Sequence, residues 1–239
     1  DPVPLLKKST DMDISVDYFS FYKSISSVYS SRIEGEDIDF DSYYKHKFLN
    51  VDYRSEYIQR TNDLFEAYEF TEQRELVWTN VQQAHAILTR NLLPETLQGR
   101  IRTNPMFVVN NEDRIEYVAA DASIIAAELE KLFADISALS SEKLSTVEVF
   151  YFASLIHLVF VKIHPFQDGN GRSARLLEKW FLMNQLGEMA VYVQSEKNYY
   201  RHIDEYYRNI RILGLEYDTL DYTNSLDFLL MTICGLNQV

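Results

Sequence analysis

The residues best suited to chemistry fall in one short stretch: His164-Pro165-Phe166-Gln167-Asp168-Gly169-Asn170-Gly171-Arg172-Ser173-Ala174-Arg175. It separates two helical patterns, so it reads as a loop that runs into a helix N-terminus. Gly169 and Gly171 permit unusual backbone angles and close approach of amide groups. Those amides, together with the positive end of the following helix, make a nest for an anion. Arg172 and Arg175 are three residues apart, which puts them on neighbouring positions of one helical face. Both can fork onto phosphate oxygens. Asp168 is a hard oxygen ligand suited to Mg²⁺ shared with phosphates. His164 enters just ahead of the loop and can serve as a base near neutral pH. The combined chemistry is that of a nucleotide-phosphate site with a built-in general base.

The stretch is not a Walker A loop, because that motif's Lys-Ser/Thr pair and spacing are absent. Any one of these residues alone reads as an ordinary helix–loop–helix turn. Jointly, chance agreement at average composition is on the order of one in 10¹¹ per site, which favours a dedicated motif. The pattern resembles the signature of the Fic-domain family, His-Pro-Phe-x-Asp/Glu-Gly-Asn-Gly-Arg-x-x-Arg, with no departure at any fixed position. The resemblance implies nucleotide transfer from ATP, usually AMPylation of a Tyr, Thr or Ser hydroxyl on a target protein or on the chain itself. His164 would deprotonate the hydroxyl, and Asp168 would hold Mg²⁺ between the α- and β-phosphates. Asn170 and the amides of Gly169 and Gly171 would line an anion hole. Arg172 and Arg175 would grip the β- and γ-phosphates. The alternatives are a relative that uses another donor (UMP, phosphocholine or phosphate) and a non-enzymatic nucleotide-binding or interaction module.

A second motif, Ser30-Ser31-Arg32-Ile33-Glu34-Gly35, is similar to the family's inhibitory pattern Ser/Thr-x-x-x-Glu-Gly/Asn. By chance a chain of this length would hold such a match about one time in five, so location decides. It precedes the core, as in the class whose inhibitory helix lies N-terminal in the same chain. Glu34 would pair with Arg175 and keep the γ-phosphate out, and Ser30, one turn earlier, would bond into the same site. In some relatives the same glutamate orients water for removal of AMP.

The elements that must position these residues are mostly helical. Amphipathic or apolar patterns span Ile14–Ile33 (closed by Gly35), Asp41–Phe48, Tyr53–Phe70 and a helix stopped at Leu93 by Pro94 and capped from Thr71-Glu72-Gln73-Arg74. Further ones follow at Ala122–Ile136, Val147–Ile163, Ser173–Leu186, Asn198–Leu213 and Ser225–Leu236. One β-hairpin interrupts them, Met106-Phe107-Val108-Val109 against Arg114–Val118 across Asn110-Asn111-Glu112-Asp113. It resembles the family's flap, whose strand Met106 to Val109 would pair with a target segment. The predicted fold class is all-α, a Fic-type helical bundle with one hairpin flap. Residues 1–74 would form an N-terminal helical region carrying the inhibitory helix, 75–215 the Fic core, and 216–239 a helical extension of the same domain.

Composition narrows the partners. The 239 residues carry 23 Lys and Arg against 36 Asp and Glu, a net charge of −13. Such a surface repels nucleic acid and anionic membranes, although one small phosphate pocket is unaffected. A single cysteine, Cys234, allows no internal disulfide or cysteine-based metal site and fits a cytoplasmic location. The apolar Val147–Ile163 contains Glu148, His157 and Lys162 and reads as a buried central helix. His157, two turns before His164, reads as structural. His46, His85 and His202 have no ligand-like partners in sequence. By resemblance, a tyrosine near the 199–200 pair borders the adenine, with Tyr200 as the candidate. Arg100 and Arg102, ahead of the flap, remain open between target binding and solvation. Self-inhibition is compatible with a homodimer that relieves it.

Overall fold

The computed structural model describes residues 18–109 and 112–238. Among them are ten α-helices: α1 (Tyr18–Ile33), α2 (Phe40–Leu49), α3 (Ile58–Thr71), α4 (Trp78–Leu88), α5 (Ile125–Ser141), α6 (Thr146–Ile163), α7 (Asn170–Leu186), α8 (Ser195–Arg201), α9 (Ile203–Arg211) and α10 (Leu226–Cys234). The one sheet is the antiparallel pair β1 (Phe107–Val109) and β2 (Ile115–Val118). This is the all-α fold with a hairpin that the sequence predicts.

The axis of the molecule is α6 packed on α7. Ser145 starts α6 with a capping box, its hydroxyl receiving the Glu148 N–H while the Glu148 carboxylate receives the Ser145 N–H at 2.8 Å. The helix is long and apolar enough to cross a membrane by length and composition. Here Phe150, Ala153, Ile156, Phe160 and Ile163 are buried in a protein core shared with Leu177, Trp180 and Phe181 of α7. Burying large apolar side chains such as these is worth roughly 1.5–3 kcal/mol each.

Helix α1 packs on α8 and α3 with an unusually polar inner face. Ser24, Ser26, Ser27, Ser30 and Ser31 are all buried. Ser24 and Ser27 bond back to the carbonyls of Ser20 and Lys23, so their hydroxyls are satisfied within the helix. Small side chains let the helix lie close to its neighbours. Gly35, at φ +83°, then turns the chain out of the helix, its N–H bonding to the Arg32 carbonyl at 3.0 Å.

Several boundaries depart from the sequence reading. The first helical pattern is described only from Tyr18 onward, and its earlier residues lie outside the described ones, as do Asn110 and Asn111 of the hairpin turn. Thr71 does not cap α4. It ends α3, its hydroxyl donating to the Tyr68 carbonyl, and α4 begins after an uncapped Val77. The helix ends at Leu88 rather than at Leu93, and the chain continues through Thr89-anchored turns. The pattern over Asn198–Leu213 is two helices broken at His202, with neither Gly nor Pro at the break. Tertiary bonds account for it: Tyr199 of α8 reaches Glu178 at 2.7 Å, while Tyr206 of α9 reaches His157 at 3.0 Å.

The hairpin pairs Phe107 with Val118, Val108 with Tyr117 and Val109 with Ile115, with an irregularity between Val108 and Val109. The outer edge of β2 is partly covered, since Val118 N–H donates to the Leu215 carbonyl at 2.8 Å. Among the described residues β1 has no strand on its other edge. Phe107, Val109 and Ile115 are exposed.

Candidate active site

The loop between α6 and α7 is shaped by its own backbone geometry. His164 closes α6 in the left-handed region at φ +53°, an uncommon conformation for a residue with a side chain. Gly169 does the same at φ +78° and serves as the N-cap of α7 without a side chain to cap it. The first-turn amides of α7 are thus left for another acceptor. Asn170 staples the loop between these two turns. Its amide accepts the Phe166 N–H and donates to the Phe166 carbonyl, both at 2.9 Å. One of the two Nδ2 hydrogens is thus used on the loop and the other is left over. Asn170 borders the cavity.

The imidazole of His164 has a defined tautomer. Its Nδ1 lies 3.0 Å from the Val161 carbonyl, which can only accept, so Nδ1 carries the proton and Nε2 keeps its lone pair. Burial pushes the His164 pKa below its ordinary value, which favours the neutral base at pH 7. His164 opens onto a cavity of about 350 Å³ that also borders Asp168, Gly171, Arg175, Glu34 and the hairpin residues Met106, Phe107 and Val108. Val109, the last residue of the flap strand, does not border the cavity and is exposed.

The two arginines are both occupied. Arg175, 1% exposed, donates from Nε to the Ser30 hydroxyl at 2.8 Å and from Nη2 to the Ser30 carbonyl at 3.1 Å and the Glu34 carboxylate at 2.6 Å. Glu34 faces the cavity with 27% of its side chain exposed. Burial opposes its charge, but Arg175 and Arg172 outweigh that and hold the carboxyl below the usual range. Gly171 lies directly beneath this pair. A Cβ there would sit 2.6 Å from Glu34 Oε1 and 3.2 Å from Arg175 Nη1, so any side chain would push the Glu34 carboxylate from its present place. Arg172 donates to Glu36 at 2.7 Å.

Three further residues organise the loop, and none stands out in sequence. His85 on α4 is fully buried and accepts the Gly99 N–H at Nδ1 (2.8 Å), so its Nε2–H donates to the Asp168 carbonyl at 2.9 Å. Its ring stacks on Phe166 at 3.6 Å. Burial lowers its pKa to about 4, so it remains a neutral clamp. Arg102 is buried rather than solvated. It donates to the carbonyls of His164 (2.7 Å), Asn104 (2.7 Å) and Ala120, tying the loop to the base of the hairpin. Tyr206 receives Arg175 Nη1 at 3.3 Å and bonds His157, which in turn meets Glu178 at 2.6 Å. His157 is therefore a buried link behind Arg175. Tyr200 lies outside the cavity, against Tyr29 and the guanidinium of Arg32. Tyr206 and Tyr207 line the cavity in its place.

Among the described residues no group of three His, Cys, Asp or Glu side chains could hold a metal alone. A lone exposed carboxylate, Asp168, suits Mg²⁺ that takes its remaining ligands from phosphates and water. One Asp168 oxygen already receives the Gly169 N–H at 2.6 Å.

Residues 78–182, which run from α4 into α7, match the model of the Fic/DOC family. A crystal structure of a Fic family protein from Desulfovibrio desulfuricans G20 superposes with a TM-score of 0.79 at 19% identity, covering 99% of this chain and 72% of that one. A Fic-domain-containing signaling protein from Bacteroides thetaiotaomicron gives 0.74 at 16% identity, covering 99% and 92%. These likenesses show the fold. In sequence, a protein adenylyltransferase Fic of Drosophila yakuba is 41% identical over 64 residues, 27% of this chain and 13% of the relative. One from Nematostella vectensis is 42% identical over 55 residues, 23% and 13%. The chain thus matches only a small part of the length of these curated relatives.

Proposed function

We propose, from the match of residues 78–182 to the Fic/DOC family model, that the chain transfers AMP from ATP to a hydroxyl of a target protein, and that Glu34 holds it in check. The observation that carries the reading is one cavity bordered by a neutral His164 with a free Nε2, the Asp168 carboxylate and the Arg175 guanidinium, with the Glu34 carboxylate already seated on that guanidinium.

In the transfer, Nε2 of His164 takes the proton from the acceptor hydroxyl as its oxygen bonds to the α-phosphorus. The bond from that phosphorus to the bridging oxygen of the β-phosphate breaks, and pyrophosphate leaves. The first-turn amides of α7, together with Arg172 and Arg175 once freed, stabilise the charge that gathers on the phosphate oxygens. Mg²⁺ held by Asp168 would neutralise the α- and β-phosphates. The free edge of β1 would take up an extended target segment by strand addition and present its hydroxyl to His164. With Glu34 on Arg175, that guanidinium is occupied and like charge repels a γ-phosphate. A chain with a net charge of −13 is suited to a protein target rather than to a nucleic acid.

The test uses ATP labelled at the α-phosphate, with Mg²⁺ and a cell lysate as the source of targets, on wild type, Glu34→Gly and Glu34→Gly/His164→Ala. Strong protein-bound label in Glu34→Gly, little in wild type and none in the double variant supports the reading. Label from γ-labelled ATP alone would replace it with phosphate transfer.

A further inference from the structure

Glu36 lies two residues beyond Glu34, and the inhibitory motif leaves it unassigned. The turn at Gly35 fixes both carboxylates together: the N–H groups of Glu34 and Glu36 each donate to the Ser31 carbonyl, at 3.0 and 3.2 Å. From there Glu34 reaches Arg175 at 2.6 Å and Glu36 reaches Arg172 at 2.7 Å. The same oxygen, Oε1, also accepts from Arg60 of α3 at 3.3 Å. Its side chain is 4% exposed, and its second oxygen, Oε2, is buried without a hydrogen-bond partner.

A buried ion pair of this kind is a poor source of stability. Desolvation of both charges roughly cancels their attraction, and an unpartnered buried oxygen adds a further cost. The arrangement has a different effect on a ligand. A polyphosphate must draw on both arginines, and each is neutralised by its own carboxylate on one short, continuous segment. Removing Glu34 alone leaves Arg172 covered.

We propose that Glu36 is a second occluding carboxylate that closes Arg172 as Glu34 closes Arg175, so that ATP is fully admitted only when the segment from Ser30 to Glu36 leaves as a unit. The proposal rests on the reading of this cavity as an ATP site. It also assigns Arg60 a part: it anchors the outer end of the segment from α3, outside the loop.

ATP affinity with Mg²⁺ is measured by calorimetry, and α-label transfer in parallel, on wild type, Glu34→Gly, Glu36→Gln and the double variant, each first checked for a cooperative thermal melt. Glu34→Gly is expected to raise transfer over wild type, and adding Glu36→Gln to tighten ATP binding roughly ten-fold further. If Glu36→Gln does not fold, Glu36→Asp withdraws the carboxylate by one methylene and is expected to give a gain of about three-fold in the same background. A double variant with the ATP affinity and transfer of Glu34→Gly overturns the second lock and leaves inhibition by Glu34 standing. Absence of ATP binding in every variant overturns the ATP reading, and the lock with it.

Discussion

The loop from His164 to Arg175 and the segment from Ser30 to Glu36 meet at two arginines, yet they are held in place by different means. The loop is fastened by short bonds to backbone groups: Asn170 to both polar atoms of the Phe166 backbone, His85 to the Asp168 carbonyl, Arg102 to the His164 carbonyl. The segment adds charge to such bonds: Arg175 donates to the Ser30 hydroxyl and carbonyl, but Glu34 also sits on Arg175, and Glu36 on Arg172 and Arg60. Dipole-to-backbone bonds in a dry interior fix geometry at little cost in desolvation, whereas buried charge pairs come close to breaking even. Under the proposed function, this difference makes the loop the fixed part and the segment over it the part that would have to move.

The sharpest way to break that contrast is at His164. In the Glu34→Gly background, His164→Ala is expected to cut α-label transfer by about 10²–10⁴, the usual worth of a general base, with ATP affinity little changed. A loss below ten-fold, read from initial rates of label incorporation, would mean that the loop is not the catalytic element.

Next in size is the clamp. His85→Ala deletes two hydrogen bonds and a stacked ring from a buried position, and should cost about 2–4 kcal/mol in denaturant unfolding. Glu34→Gly should cost less by the same measurement, about 1–2 kcal/mol, because the buried Arg175 loses its carboxylate but keeps the Ser30 hydroxyl, the Ser30 carbonyl and Tyr206 as acceptors. Equal costs would erase the distinction between the fixed and the movable part.

The clamp also has a pH signature of known sign. The folded pKa of His85 is depressed to about 4, below an unfolded value near 6.5. The folded state therefore resists a proton that the unfolded state accepts, and stability falls as pH drops from about 6.5 towards 4. The contribution amounts to about 3 kcal/mol across that window. Denaturation at pH 7 and pH 5 should show His85→Gln losing less on acidification than wild type. An identical loss would remove His85 as the source.

The smallest expected effect is at the hairpin. Val109 is exposed and sits on the free-edged strand, so Val109→Asp should lower labelling of an external target by roughly two- to five-fold, about the worth of one cross-strand pair. ATP affinity, measured by calorimetry, should stay the same.

Legibility in the sequence follows the same divide. The loop could be read because its chemistry is contiguous: His164, Asp168, the two glycines and the two arginines fall within twelve residues, and the helices on either side have clear periodicity. Glu34 was reachable through a short motif at the end of α1. The residues that hold these in place could not be read, because their partners are distant. His85 meets a carbonyl 83 residues away, Glu36 an arginine 136 residues away, and Arg102 a carbonyl 62 residues away. No spacing rule links such positions. Backbone carbonyls, moreover, carry no residue identity that a pattern could register. Ser24 and Ser27 of α1 hid for another reason: their hydroxyls are satisfied within the helix, so polar residues pack where apolar ones are expected. The break at His202 was invisible because tertiary bonds from Tyr199 and Tyr206, not a helix breaker, impose it.

One consequence concerns the residue that ends α6. A helix that stops in the left-handed conformation would ordinarily do so with glycine, which takes φ near +53° without the penalty of a side chain. Here the terminator is His164, so about 1–2 kcal/mol of folding stability is surrendered to place an imidazole at the mouth of the cavity. Selection for thermal stability alone would act against this residue. A library screened for rugged variants should drift from histidine at position 164 and lose transfer as it gains heat resistance.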